Sequence, residues 1–184
     1  TASSQQGIAQ SNYQPPIATD VTYFKGFVMY ANTTELQQFF LTLISVGSPS
    51  GIQVNDTITI SSIAYTGKAA ENIPAAEFQV FTGGTPSQNI TNTANSLVRV
   101  INRHIPNTSV YAYYQSGYSE APGKILLTER VIGSGSFTTI SSRPTAFVPN
   151  LTTVQASSNN VHPNYVFISK YQQPEAVPVL QYIP

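Results

Sequence analysis

The stretch that most constrains this chain is Ser87–His104, SQNITNTANSLVRVINRH. Ile90, Ala94, Leu97, Val98 and Ile101 stand at offsets 0, +4, +7, +8 and +11, one apolar stripe at the helical period. Ser87 or Asn89 is the expected N-cap. Arg99 and Arg103 lie in the last turns, where cations favour the helix dipole. Pro106 helps end the helix. Because only one face is apolar, this helix needs a sheet to lie on.

Strand signals surround it. Val21–Tyr30, VTYFKGFVMY, is β-branched and aromatic and reads as one strand. In Leu36–Val46, the alternation of Phe39, Leu41 and Leu43 favours a strand, although Leu36, Phe39, Phe40 and Leu43 also fit a short helix. GSPSG, Gly47–Gly51, is a turn by content. DTITISSIAYTG and FQVFTGG then supply short strands, expected to run consecutively antiparallel. After the helix, Val110–Tyr114 and Lys124–Arg130 flank the loop QSGYSEAPG, where Gly117, Pro122 and Gly123 carry the turn chemistry. Beyond Gly133–Ser136 the chain reads as polar and irregular until a last strand, Tyr165–Ser169.

The expected fold class is therefore α+β and β-rich: a mostly antiparallel sheet packed by one amphipathic helix, Ser87–Arg103, with extended polar termini. Residues 1–20, with Pro15-Pro16, read as an extended N-terminal arm. Residues 21–169 form the β-rich module, and 170–184 a Pro-containing linker or exit strand.

Charged residues make up only 9% of the 184, against roughly 25% in ordinary domains. The surface is then built from Ser, Thr, Asn and Gln. With net charge zero, little keeps copies apart, which suits a protein packed among neighbours. Eight Lys plus Arg balanced by eight acids argue against specific nucleic-acid binding. Without cysteine there is neither a disulfide framework nor thiolate chemistry. No apolar run is long enough for a membrane-spanning helix.

Signals for chemistry are sparse. His104 and His162 lack neighbours at metal-ligand spacing and read as surface histidines. Glu71 and Glu77 read as solvated loop charges rather than a glycosidase pair. GSPSG has Pro49 where a nucleophile would stand, and GSGSFT lacks the third glycine of a dinucleotide loop. Five Asn-x-Ser/Thr triplets, at Asn32, Asn55, Asn89, Asn107 and Asn150, are unsurprising in a chain so rich in Asn and Thr. No catalytic, cofactor-binding or metal-binding residue is assigned, and no enzyme activity is expected. Tyr111 and Tyr113 share one face of their strand. With Tyr118 of the following loop they form the candidate interface or ligand site, since aromatic side chains are enriched at interfaces.

The series DTITISSIAYTG, EFQVFTGG, SQNITNTANSLVRVINR and VYAYYQSGYSEAPGKILLTER resembles a module of tailed-bacteriophage virion proteins. Asn55-Asp56 stands where that pattern has Gly-Asp, and Ser61-Ser62 where it often has a turn glycine. KGFVMYANTT and YVFISKYQQPEAVP resemble the same family more narrowly, its large tail structural proteins of nozzle or tube-stabilising type. The resemblance spans about Val21 to Pro178. It implies a structural virion component located in the phage tail, whose partners are other tail subunits in a homo-oligomeric ring. It also implies that Tyr171–Pro184 is a strap leading into a further domain of a larger protein. The alternative reading is a glycan- or receptor-binding domain of a tail protein, with the loop Gln115–Gly123 as its site.

Overall fold

The computed structural model describes residues 12–13, 17–34, 36–47, 49–117, 120–131, 134–158, 161–169, 171–173, 177–178 and 182–183. Its helix, α1, spans Pro86–Arg103. It starts at Thr85, ahead of the expected caps. The Gln88 N–H donates to Thr85 Oγ1 at 3.3 Å, and the Thr85 N–H donates to Gln88 Oε1 at 3.0 Å. This reciprocal box satisfies two donors at once, and Pro86 pre-sets the first turn, so the start wins over Ser87. Asn89 instead bonds the Gly84 N–H and carbonyl. Ala94, Leu97 and Ile101 of the expected stripe are buried, whereas Ile90 and Val98 are half-buried. Val100, outside the expected stripe, is fully buried.

The chain divides into two compact units, 37–158 and 1–36 with 159–184, rather than into an arm, a module over 21–169 and a linker. In the first unit, β4 (Gln38–Leu43), β8 (Val110–Tyr114), β9 (Lys124–Glu129) and β11 (Phe147–Val148) form an antiparallel sheet in the order β11-β4-β9-β8. A five-stranded sheet, β12-β10-β5-β6-β7, contains β5 (Thr57–Ile60), β6 (Ile63–Lys68), β7 (Glu77–Gln79), β10 (Thr138–Ser141) and β12 (Gln155–Ala156). Its pairings are antiparallel except β6 with β7, which are parallel, contrary to the expected run of antiparallel strands. A 3-10 turn at Ile73–Ala75 carries the chain round between them. The segment after Ser136, expected to be irregular, supplies β10, whose Ile140 and Thr139 pair with β5. Its short β-branched run is masked in sequence by the Ser and Thr around it.

One core joins both sheets to the helix. Leu41 and Leu43, Ile58 and Ile60, Tyr65, Phe78, Val110, Ala112, Ile125 and Leu127 meet Ala94, Leu97, Val100 and Ile101. Alternation along each strand aims these side chains inward. At Gly123, φ is +96°, and a Cβ would lie 2.0 Å from the Leu43 carbonyl oxygen, so only glycine fits there. Two turn residues are also left-handed, Asn55 at φ 75° and Ser61 at φ 53°.

In the second unit, β2 (Ile17–Phe24), β3 (Phe27–Thr34), β13 (Val161–Ile168) and β15 (Tyr182–Ile183) form an antiparallel sheet in the order β15-β13-β3-β2. The single strand expected over Val21–Tyr30 is thus a hairpin. Lys25 at φ 49° and Gly26 at φ 89° make a two-residue turn with both centres left-handed, the geometry that follows the natural strand twist. The segment expected as a linker or exit strand contains strand: β14 (Val177–Pro178) pairs with β1 (Asn12–Tyr13). Residues 1–11 of the expected arm lie outside the described residues. Among the described residues, no helix is long and apolar enough to cross a membrane.

Glu71 is not a solvated loop charge. Arg99 Nη2 reaches its carboxylate at 2.7 Å, and Ser96 Oγ donates to the same oxygen. Burial works against the charged form, but the hydrogen bonds from Arg99 and Ser96, with the Arg99 and Arg103 charges, outweigh it and hold the carboxyl below its usual range. A carboxyl depressed in the folded state stabilises the fold above its unfolded value and loses that contribution as pH falls through the folded one. Glu71→Gln should therefore lower stability at pH 7 by up to about 1 kcal/mol and leave it nearly unchanged at pH 2, in paired urea titrations. Leu97→Ala should cost about 2–5 kcal/mol in the same measurement, because its side chain is fully buried between helix and sheets.

Candidate functional site

Strand β8 alternates strictly. Val110 and Ala112 are buried, while Tyr111 and Tyr113 are 40% and 50% exposed on the opposite face. Cross-strand register extends that face over the sheet. Tyr113 stands opposite Leu126, which stands opposite Phe40; Tyr111 stands opposite Thr128, which stands opposite Gln38. Directly opposed residues share a face, so Phe40, Leu126, Tyr113 and Tyr111 line one outward surface. Thr42 stands opposite both Lys124 and Val148, and these two exposed residues extend the surface at its other end.

Two cations lie on these rings. The Arg130 guanidinium sits 4.3 Å from the Tyr111 ring centroid, and Lys124 Nζ sits 5.5 Å from that of Phe40. Arg130 is fixed there, because Nε donates to the Val110 carbonyl at 2.8 Å and Nη2 to the Asn102 carbonyl at 3.2 Å. A guanidinium spread over a tyrosine face keeps its charge available while offering a flat apolar contact. The Tyr111 and Tyr113 rings are 6.5 Å apart and tilted by 52°.

The free edge of β8 is occupied. Asn102 of α1 donates Nδ2 to the Ala112 carbonyl at 2.7 Å and accepts the Ala112 N–H at 2.8 Å. Asn107 donates to the Ile101 and Val110 carbonyls and accepts from the Ser109 and Val110 N–H groups. One asparagine after the other imitates the ladder of a neighbouring strand. Strand addition is thereby blocked along Val110 and Ala112 of β8.

Of the residues expected from sequence, the structure brings Tyr111 and Tyr113 together; Tyr118 lies outside the described residues. Phe40, Leu126, Lys124 and Arg130 complete the surface, and none was singled out in the sequence. Phe40 was visible as the odd member of the Phe39–Leu41–Leu43 alternation, but nothing local says which strand lies beside it.

Several other titratable groups have partners within the fold. His104 is buried at the end of α1, where Nδ1 bonds the Ile73 carbonyl at 2.9 Å and its ring meets Tyr65 edge-on, so the surface reading is corrected. Burial pushes the Tyr65 hydroxyl up to about 12, partly opposed by the Arg130 charge. Asp56 forms an ion pair with Arg143 at 3.0 Å. Among the described residues, no three of His, Cys, Asp or Glu gather as metal ligands. No protein family, curated protein or solved structure matches the chain.

Asn102→Ala strands the N–H and carbonyl of Ala112. It should cost about 1–3 kcal/mol, read by thermal or urea unfolding, and speed amide exchange at Ala112.

Proposed function

We propose that this chain is a structural module of a bacteriophage tail protein, located in the virion. Its unit 37–158 meets neighbouring tail subunits, in a homo-oligomeric ring, through the outer face of the β11-β4-β9-β8 sheet. The observation that carries the reading is that face. Phe40, Tyr111 and Tyr113 are exposed on one face, with Leu126 of β9 between Phe40 and Tyr113, on strands whose opposite side chains are locked in the core. Rigid aromatics with a fixed arginine are the side chains that carry binding energy at interfaces. The scarcity of charge elsewhere favours close packing of copies. The tail assignment rests on the sequence resemblance, and the assembly role on the face. The role is mechanical and calls for no catalytic residue.

In sedimentation of the purified chain, Tyr113→Ala should weaken self-association at least about tenfold, with unfolding changed by no more than about 0.5 kcal/mol. Antibody raised to the chain should label the tails of intact particles. Unaltered association in Tyr113→Ala would sink the interface, and absence of the chain from purified particles would sink the tail assignment.

A further inference from the structure

The unit formed by 1–36 and 159–184 is built differently from its neighbour. None of the side chains in the joint core cluster comes from it, and Phe167 is its one buried apolar residue among those described. Meanwhile Val21, Tyr23 and Phe24 are 59%, 70% and 56% exposed. All three lie on β2, the outermost strand of its sheet, and among the described residues no strand pairs with the outer edge of β2. Natural edge strands are normally blunted by lysine, proline or a bulge. β2, IATDVTYF, is eight residues long, contains neither lysine nor proline, and pairs with β3 in one register throughout.

We propose that this edge pairs, antiparallel, with the same edge of a second copy of the chain about a two-fold axis through Thr22. The Lys25-Gly26 turn decides which backbone groups are free. A two-residue turn makes Phe24 and Phe27 a hydrogen-bonded pair, so Thr22 with Met29 and Asp20 with Ala31 also bond inward. The N–H and carbonyl groups of Val21 and Tyr23 then point away from β3, toward the second copy.

Charge chooses the register. With Thr22 opposite Thr22, Val21 lies opposite Tyr23 of the second copy, a β-branched and aromatic pair that recurs by symmetry. Asp20 lies opposite Phe24 of the second copy. Lys25 Nζ sits 5.2 Å from the Phe24 ring centroid, so each Asp20 carboxylate faces an ammonium, twice over. Centring on Val21 instead sets Asp20 against Thr22, and centring on Tyr23 carries it past the strand to Gly26. A two-fold contact of this kind closes on itself, independently of how unit 37–158 assembles.

The chain has no cysteine, so Thr22→Cys introduces a sole thiol that meets its own copy at the axis. In a non-hydrogen-bonded antiparallel pair the Cα atoms stand about 4.5 Å apart, within disulfide reach. Under mild oxidation Thr22→Cys should form a covalent dimer of twice 19.9 kDa roughly tenfold faster than Thr19→Cys, which is exposed on the same strand but never meets itself. Adding Asp20→Lys should slow that cross-link about tenfold, and adding Lys25→Asp as well should restore it. Tyr113→Ala should leave it unchanged, which separates this contact from the sheet-face assembly. Equal rates for Thr22→Cys and Thr19→Cys, or failure of the charge swap to rescue, would overturn the proposal.

Discussion

Helix α1 stands in for a strand at the edges of two sheets, and unit 37–158 depends on that substitution. On one side, the N–H groups of Gln79, at the end of β7, and of Phe81, two residues beyond it, donate to Ser96 Oγ and Thr93 Oγ1 at 2.8 and 3.0 Å. On the other, Asn102 takes both backbone groups of Ala112 in β8. Between these polar seams the apolar stripe fills the core. Each such bond adds only about 0.5–1.5 kcal/mol net, yet a buried backbone group left unpaired costs about 1–3 kcal/mol. The polar residues on the buried face of the helix are therefore as necessary as its leucine and isoleucine.

This arrangement directs where contact can occur. With the β7 and β8 edges taken by side chains, strand addition is blocked there, while the aromatic face of the four-stranded sheet is exposed. The same closure fixes Arg130, which is held by the Asn102 and Val110 carbonyls while it covers Tyr111. The surface is preformed, so the partner proposed above would meet it with little ordering left to do, the condition under which aromatic anchors contribute most. Unit 1–36 with 159–184 follows the opposite logic. Val21, Tyr23 and Phe24 are exposed on β2, whose outer edge no strand pairs with among the described residues, so the contact proposed there is backbone pairing rather than face packing.

Sequence and structure agree best where one period dominates. The helix, the shared face of Tyr111 and Tyr113, and the β5–β6 pair were all legible, since each is specified by residues within reach of one another. The hairpin at Lys25-Gly26 was missed because lysine is a poor advertisement for a left-handed turn, and aromatic residues continue on both sides. His104 looked like a surface residue because its partners, Ile73 and Tyr65, lie more than thirty positions away. The Thr85 cap was overlooked because Ser87 and Asn89 are equally good caps in isolation, and only the reciprocal bond with Gln88 distinguishes them.

By itself, the sequence determined a β-rich α+β chain with one amphipathic helix, and it aimed Tyr111 and Tyr113 to a common side. Those are consequences of local period and of steric preference at each residue. Only the tertiary structure decided that Phe40, Leu126, Lys124 and Arg130 join them, that the 1–36 and 159–184 segments form a unit of their own, and which edges are closed. Strand neighbours are chosen by pairing across long stretches of chain, and the backbone hydrogen bonds that choose them carry no signature in the side chains nearby.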